Sequence, residues 1–388
     1  MPTMAAAAAS KLVRIDAMQS AMPGRMTPPG RSRRIFAATP LGPDVLQRRC
    51  QVVLYYSEVG EGKEAESRVT VGAWMKESLS EVLSSHPVLA GRLRRDDEGR
   101  GCWEIKFNDC GVRLVQATAE VTLSEFLCSE YRDEREANLA YWEDVNADNP
   151  NYSPLFFIQV CLFRHAMQLR QCTYHRDCHC LLLLHVTQFQ GDGYSIGISC
   201  SLLLADPFVL ARFLKSWAQT HTTMFAHGQL TNPPIHLCYF QTSGHPPCHS
   251  NSNSTAISAA ASVIATTTLF KVARNSCATN AAAATCFQEA ARRLGTKPAS
   301  SYSLVISDSS VYLTVESAGF DEVVGCSATE VAWRDQLGIE EISLVEARKP
   351  VHASCRIVPC AGETLVVVMQ PSEEDELMVS VTTPADKI

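Results

Sequence analysis

No run of about 20 apolar residues occurs anywhere in the 388-residue sequence, so a membrane-crossing helix is not expected. A basic excess is also missing. Lys plus Arg number 34 against 41 Asp plus Glu, a net charge of −7, which argues against a general nucleic-acid binder. Wholesale disorder is excluded in turn, because 46% of the residues are hydrophobic and 19% are charged. The Ala-rich stretch before Ser10 runs directly into Lys11 and Arg14 and lacks the apolar core of a secretory signal. An Arg-rich, acid-poor stretch, Arg25 to Arg34, leaves an organelle transit segment as an alternative to ordinary domain sequence. What is abundant is cysteine, 16 residues in a chain too long for a disulfide scaffold. Most of these thiols are expected to be reduced, buried as small hydrophobes, in a cytoplasmic protein.

At roughly 150 residues per domain the length suggests two domains. Cys50 to Tyr56 (CQVVLYY) reads as a buried strand. Trp74, Leu79, Val82 and Leu83 mark a helix over about Val71 to Leu83, closed by His86-Pro87. Trp103 to Phe107 and Val112 to Val115 read as strands, and Leu123 to Leu127 as a short helix. Leu155 to Phe163 and Leu181 to Phe189 are strand candidates around a polar insert, and Gly191-Asp192-Gly193 turns into a third, Tyr194 to Ser199. Phe208, Ala211, Leu214 and Trp217 share one helical face over Phe208 to Thr220. From His245 to Ala284 the composition shifts to Pro, Ser, Asn, Thr and Ala, as in a crossover. Beyond it come a helix, Cys286 to Leu294, and strands at Tyr302 to Ile306, Val311 to Val315 and Leu365 to Met369. Strands alternating with helices without a regular repeat point to a mixed α/β protein.

Asp206, at the end of the buried run Gly197 to Ala205, needs a partner. It either caps the helix beginning near Phe208, pairs with an arginine, or takes part in chemistry. His185, Cys200 and Ser201 are further candidates, although neither Cys200 nor Ser201 has an adjacent base in sequence. Cys172, His175, Cys178, His179 and Cys180 concentrate soft ligands at spacings compatible with zinc, against which stands a chance loop or an insertion that duplicates a strand. No metal is expected. Lys271, Arg274, Arg292, Arg293 and Lys297 are the cations available to phosphate groups, or else a solvated helix face.

Several short segments occur in a telling order. His86-Pro87-Val88-Leu89-Ala90-Gly91-Arg92-Leu93, Phe107-Asn108-Asp109-Cys110-Gly111-Val112 and Ser153-Pro154-Leu155 come first. Thr187-Gln188-Phe189, Gly197-Ile198-Ser199 and Asp206 followed by Phe213-Leu214-Lys215-Ser216-Trp217 come next. Over roughly residues 50 to 220, and more weakly through Val331-Ala332-Trp333 and Lys349-Pro350 to Met369, this series resembles the plant BAHD acyltransferase family. The resemblance implies a two-lobed, chloramphenicol-acetyltransferase-like α/β fold of mixed sheets with flanking helices. Its first lobe spans residues 1–240, a crossover 241–265, and an abbreviated second lobe 266–388. It further implies a channel where acyl-CoA, as co-substrate and not a permanent cofactor, meets an alcohol or amine acceptor in a monomeric enzyme.

In that family the His of a His-x-x-x-Asp motif is the general base, its Asp holds local structure, and an Asp-Phe-Gly-Trp-Gly motif near the C-terminus is structural. Here Asp206 is the one catalytic-motif residue retained. Leu202 stands where the His would be, Pro207 where a Gly is usual, and Leu344-Val345-Glu346-Ala347-Arg348 replaces the second motif. Two functions stay open. One is acyl transfer from acyl-CoA with a degenerate motif. The other is a catalytically silent relative, similar to the eceriferum-like branch, acting as a protein partner in very-long-chain fatty-acid elongation and wax synthesis or as a regulator of hormone metabolism.

Overall fold

The computed structural model describes residues 13–37, 41–57, 66–95, 103–163, 193–227, 265–276, 278–296, 301–308, 312–319, 326–344, 348–371 and 376–384. In chain order its strands are β1 (Val13–Ala21), β2 (Ser32–Ala37), β3 (Arg49–Ser57), β4 (Arg92–Arg95), β5 (Trp103–Lys106), β6 (Val112–Ala119), β7 (Phe156–Phe163) and β8 (Gly193–Ser201). They continue with β9 (Ala265–Ala273), β10 (Ser301–Asp308), β11 (Tyr312–Gly319), β12 (Ala328–Val331), β13 (His352–Val358), β14 (Leu365–Met369) and β15 (Glu376–Pro384). The helices are α1 (Glu66–Ser85), α2 (Leu123–Leu127), α3 (Arg132–Glu136), α4 (Pro207–Ala226), α5 (Thr279–Leu294) and α6 (Trp333–Leu337).

Six strands form one sheet in the order β1-β6-β7-β8-β3-β13, and nine form a second, β12-β9-β15-β14-β10-β11-β2-β5-β4. Parallel pairs (β6/β7, β10/β14, β11/β2) alternate with antiparallel ones, so both sheets are mixed, as expected for an α/β fold of this kind. Strands are exchanged between the two ends of the chain. β13 completes the six-stranded sheet beside β3, while β2, β4 and β5 extend the nine-stranded sheet beyond β11.

The strand expected at Cys50 to Tyr56 is β3, whose apolar run is buried on both faces. The helix expected from Val71 begins earlier, at Glu66, where Glu66-Ser67-Arg68 carries no apolar residue, and that expected from Cys286 begins at Thr279, because its alanine-rich first half carries little periodic signal. β1 and β2 come from the segment before residue 40. The Arg-rich stretch is therefore structural at its end: Arg33 is 8% exposed within β2, paired with Ile105 of β5. The candidates at Leu181 to Phe189 and residues 241–264 of the crossover lie outside the described residues.

The central core lies where the sheets meet. It joins Val52, Leu54, Ile196 and Ile198 of the six-stranded sheet to Ile35, Ile105, Val305 and Val367 of the nine-stranded one, with α1 and α4 packed in. A second cluster, including Phe287 and Val379, seats α5 on the far face of the larger sheet. A third seats α2 on the six-stranded sheet through Leu123, Phe126, Val53 and Tyr55. Among the described residues no helix is long and apolar enough to cross a membrane.

The short sequence landmarks have local physical causes. Arg92 is buried and donates from its guanidinium to the carbonyls of Gly91 (3.0 Å), Gly111 (2.9 Å) and Cys110 (3.3 Å), pinning the 107–112 turn. Asp109 holds that turn from the other side, at φ 54°, accepting hydrogen bonds from the Thr27 N–H at 2.7 Å and hydroxyl at 2.6 Å. A Cβ on Gly91 would lie 2.6 Å from the Lys106 carbonyl oxygen, so the backbone there passes too close for a side chain.

Helices α1 and α4 meet through a polar knot. The Ser78 hydroxyl receives the Trp217 indole N–H at 3.0 Å, donates to Met75 O at 3.1 Å and lies 2.9 Å from His221 Nδ1. Burial holds the His221 imidazole below its usual pKa of 6.5. Its protonation therefore costs more in the folded than in the unfolded chain, and in the window below 6.5 stability falls as pH falls. The thermal midpoint is expected to drop between about pH 7 and about pH 5, and less so in His221→Gln. An unchanged slope in the variant would remove His221 as a source of the acid sensitivity.

Candidate functional site

β8 ends at Ser201, and the chain turns through Leu202–Ala205 into α4. Ser201 organises the turn. Its hydroxyl accepts the Leu203 N–H at 3.2 Å, and its carbonyl accepts those of Leu204 at 2.9 Å and Ala205 at 3.2 Å. Asp206 is the N-cap of α4, with Oδ1 accepting the N–H groups of Phe208 (2.8 Å) and Val209 (2.9 Å). Pro207 at the first helical position needs no donor and has its φ already set. Asp206 Oδ2 accepts the Ser307 hydroxyl of β10 at 2.6 Å. Both carboxylate oxygens are thus engaged, one by the helix and one by the opposite sheet, and the carboxylate is 3% exposed.

Leu202, four residues before Asp206, is also 3% exposed and sits in the central core with Leu203, Leu204 and Ala205. Its N–H donates to Arg48 O at 3.0 Å. An aliphatic side chain at this position can neither accept nor relay a proton.

Two buried arginines flank the turn. Arg48 clamps Glu363, with Nε 3.1 Å from Oε2 and Nη2 on Oε1, which joins the segment before β3 to the β13–β14 turn. Burial pushes the Glu363 carboxyl up, but the Arg48 charge and hydrogen bonds outweigh it and hold the group below its usual value. Arg33 reaches across from β2 and donates to the Leu203 carbonyl. Burial lowers its pKa to about 10, against the opposing pull of Cys200 and Asp206. Neither arginine was singled out from the sequence. Arg33 lay in the stretch weighed as a transit segment, and nothing local announces that Arg48 faces a glutamate 315 residues later.

The other sequence candidates do not converge on this turn. The Cys200 thiol is fully buried, burial pushes its pKa well above the ordinary thiol value, and its Sγ lies 3.7 Å from the Ser201 carbonyl. His185 and the Cys/His-rich insert at 172–180 lie outside the described residues. The four described imidazoles are engaged elsewhere. His86 packs edge-on to Phe213, His221 meets Ser78, His227 meets the Thr223 carbonyl and His352 packs on Tyr55. Among the described residues no His/Cys/Asp/Glu group could hold a metal ion.

Three of the five cations weighed for phosphate binding carry glutamate partners: Lys271 with Glu376 (2.6 Å), Arg292 with Glu289 (2.6 Å), and Arg293 with Glu289 (2.7 Å) and Glu330. Lys297 lies outside the described residues. Where the second motif is replaced, Leu344 is buried and Lys349 pairs with Glu341, while 345–347 are not described.

Comparison with known proteins finds a family model and several relatives that parts of this chain resemble. The model of the Transferase family matches residues 50–168. "Protein ECERIFERUM 26-like" of Arabidopsis thaliana is 30% identical over 159 residues, which is 41% of this chain and 30% of that protein. "Brassinosteroid-related acyltransferase 1" of Arabidopsis thaliana is 28% identical over 190 residues, 48% of this chain and 35% of its own length. The matched stretches therefore span about a third of these curated relatives. Among solved structures, vinorine synthase aligns over 97% of this chain and 95% of its own, with a TM-score of 0.48 and 13% identity.

Proposed function

We propose that this chain is a member of the BAHD-type transferase family that keeps the family scaffold as a binding site for acyl-CoA and a small alcohol or amine acceptor but has lost the general-base step. The observation that carries this reading is the turn before α4. Its architecture is intact, with Asp206 capping the helix and holding Ser307, while the position of the base is filled by buried Leu202. Asp206 acts here as a positioning residue, since both its oxygens already hold protein donors. A general base contributes about 10²–10⁴-fold to rate, so its absence reduces turnover to what approximation of two bound substrates supplies.

Alongside the likeness to proteins named ECERIFERUM, we read the chain as a silent member that works through binding, a monomeric, cytoplasmic partner of fatty-acid elongation. The likeness to two proteins named as transferases keeps residual acyl transfer as the second reading.

The test is calorimetric binding of a panel of acyl-CoAs together with product assays against alcohol and amine acceptors. Acyl-CoA is expected to bind without product at enzyme-like rates. In Leu202→His, which restores an imidazole four residues before Asp206, turnover should rise by roughly 10²-fold or more if the new base reaches the acceptor. Enzyme-like rates from the unaltered protein would refute loss of the base step, and failure of every acyl-CoA to bind would refute retention of the site.

A further inference from the structure

We propose that Cys50 and Cys355 form a reversible redox clamp that ties the C-terminal strand β13 to the N-terminal strand β3. The two residues come from opposite ends of the chain, 305 positions apart, yet their sulfurs stand 3.9 Å from each other. The β3/β13 register explains the meeting. Cys50 pairs with Ile357 and Cys355 with Val52, so the cysteines are diagonal neighbours on one face of the antiparallel pair. That face looks into the central core, where Cys50 is fully buried and Cys355 is partly buried against the same cluster. Both are free thiols in this structure. A disulfide needs an S–S separation of about 2.05 Å and Cα atoms within about 7 Å, and a diagonal pair stands at the edge of that reach, so closing the bond draws β13 toward β3.

The roles follow from access. Cys355 meets solvent in part and is attacked first, whereas Cys50 has no exposed surface. With hydrogen peroxide as oxidant, the Cys355 thiolate takes one peroxide oxygen, the O–O bond breaks, and Cys355 sulfenic acid and one water result. The Cys50 sulfur then attacks the Cys355 sulfur, the S–O bond breaks, and hydroxide leaves with the Cys50 proton as a second water. Two thiols have lost two electrons and two protons, and peroxide has become two waters. The hydrogen bond to Cys355 and burial keep the Cys50 thiol protonated, so its attack requires loss of that proton to the departing hydroxide and is the slow step. A third thiol, Cys200, lies directly across from Cys50 in the β3/β8 pair, two residues before Leu202. The clamp would therefore close one strand away from the turn that carries Asp206, and since β13 is the edge strand among the described residues, it would fasten that edge of the six-stranded sheet.

The experiment treats the full chain with hydrogen peroxide, blocks remaining thiols with an alkylating reagent and maps peptides without reduction. A Cys50–Cys355 peptide lighter by two hydrogens than its parts is expected. It should disappear after dithiothreitol and be absent from Cys355→Ser. The thermal midpoint should rise on oxidation of the unaltered protein and stay put in Cys355→Ser, a partly exposed position whose substitution leaves the core filled. Cys355 recovered only as its sulfinic acid or alkylated thiol, Cys50 linked to Cys200 instead, or a midpoint indifferent to oxidation would each overturn the clamp.

Discussion

Gly197→Ala should abolish the folded state or lower its stability by about 3 kcal/mol or more, although the change adds one methyl group to a β-strand. A Cβ at Gly197 would sit 1.7 Å from the Leu139 carbonyl oxygen and 2.6 Å from its carbon. These are backbone atoms, and they cannot swing aside. The 138–141 segment is fixed to the sheet by three buried polar side chains. Gln51 and Ser199 donate to Ala140 O at 3.1 and 3.0 Å, and Gln159 accepts the Tyr141 N–H at 2.9 Å while donating to Asn138 O at 3.0 Å. Relieving the clash would break these bonds and leave buried amides unpaired, each at a cost of about 1–3 kcal/mol. Urea unfolding followed by circular dichroism measures the loss. A midpoint within error of the unaltered protein would show that the segment can lift off the sheet freely.

The second large effect is expected at Asp206. Asp206→Ala removes the cap of a 20-residue helix, leaves the Ser307 hydroxyl without its acceptor and takes away the negative charge that offsets buried Arg33. Losing a cap costs about 1 kcal/mol, and an uncompensated buried charge or donor adds to it, giving roughly 3 kcal/mol in all. Asp206→Asn separates the contributions, since its amide oxygen can still accept from Phe208 and Val209 while the charge is gone. The asparagine variant should lie between the unaltered protein and the alanine variant in denaturant midpoint. Equal loss in both would assign the whole effect to charge, and no loss in either would show that neither the cap nor the tie to β10 holds the turn.

These two residues also show what could be read from the sequence and what could not. A proline after an aspartate, ahead of an apolar face of period 3.6, marks a capped helix in any context, and α4 begins there. That leucine stands at position 202, where the resembled motif has a histidine, is equally a property of the one-dimensional string. So are the buried apolar runs of β3, β7 and β14, because burial on both faces demands unbroken hydrophobicity. β1 and β2 carried no such run. β1 is half-buried along most of its length and β2 alternates between core and solvent, where Arg33 is buried only because a carbonyl from another part of the chain waits there.

Local sequence determined a mixed α/β chain whose short segments resemble those of an acyltransferase family, with leucine where the resembled motif has histidine, since strand, cap and motif signals act over a few residues. Tertiary structure alone decided the exchange of β13 and β2 between sheets, the Arg48–Glu363 and Asp206–Ser307 ties, and the approach of Cys50 to Cys355. Each of these joins residues at least 100 positions apart. Nothing in the neighbourhood of either partner encodes such a contact, because its free energy exists only once two sheets have closed over a common core.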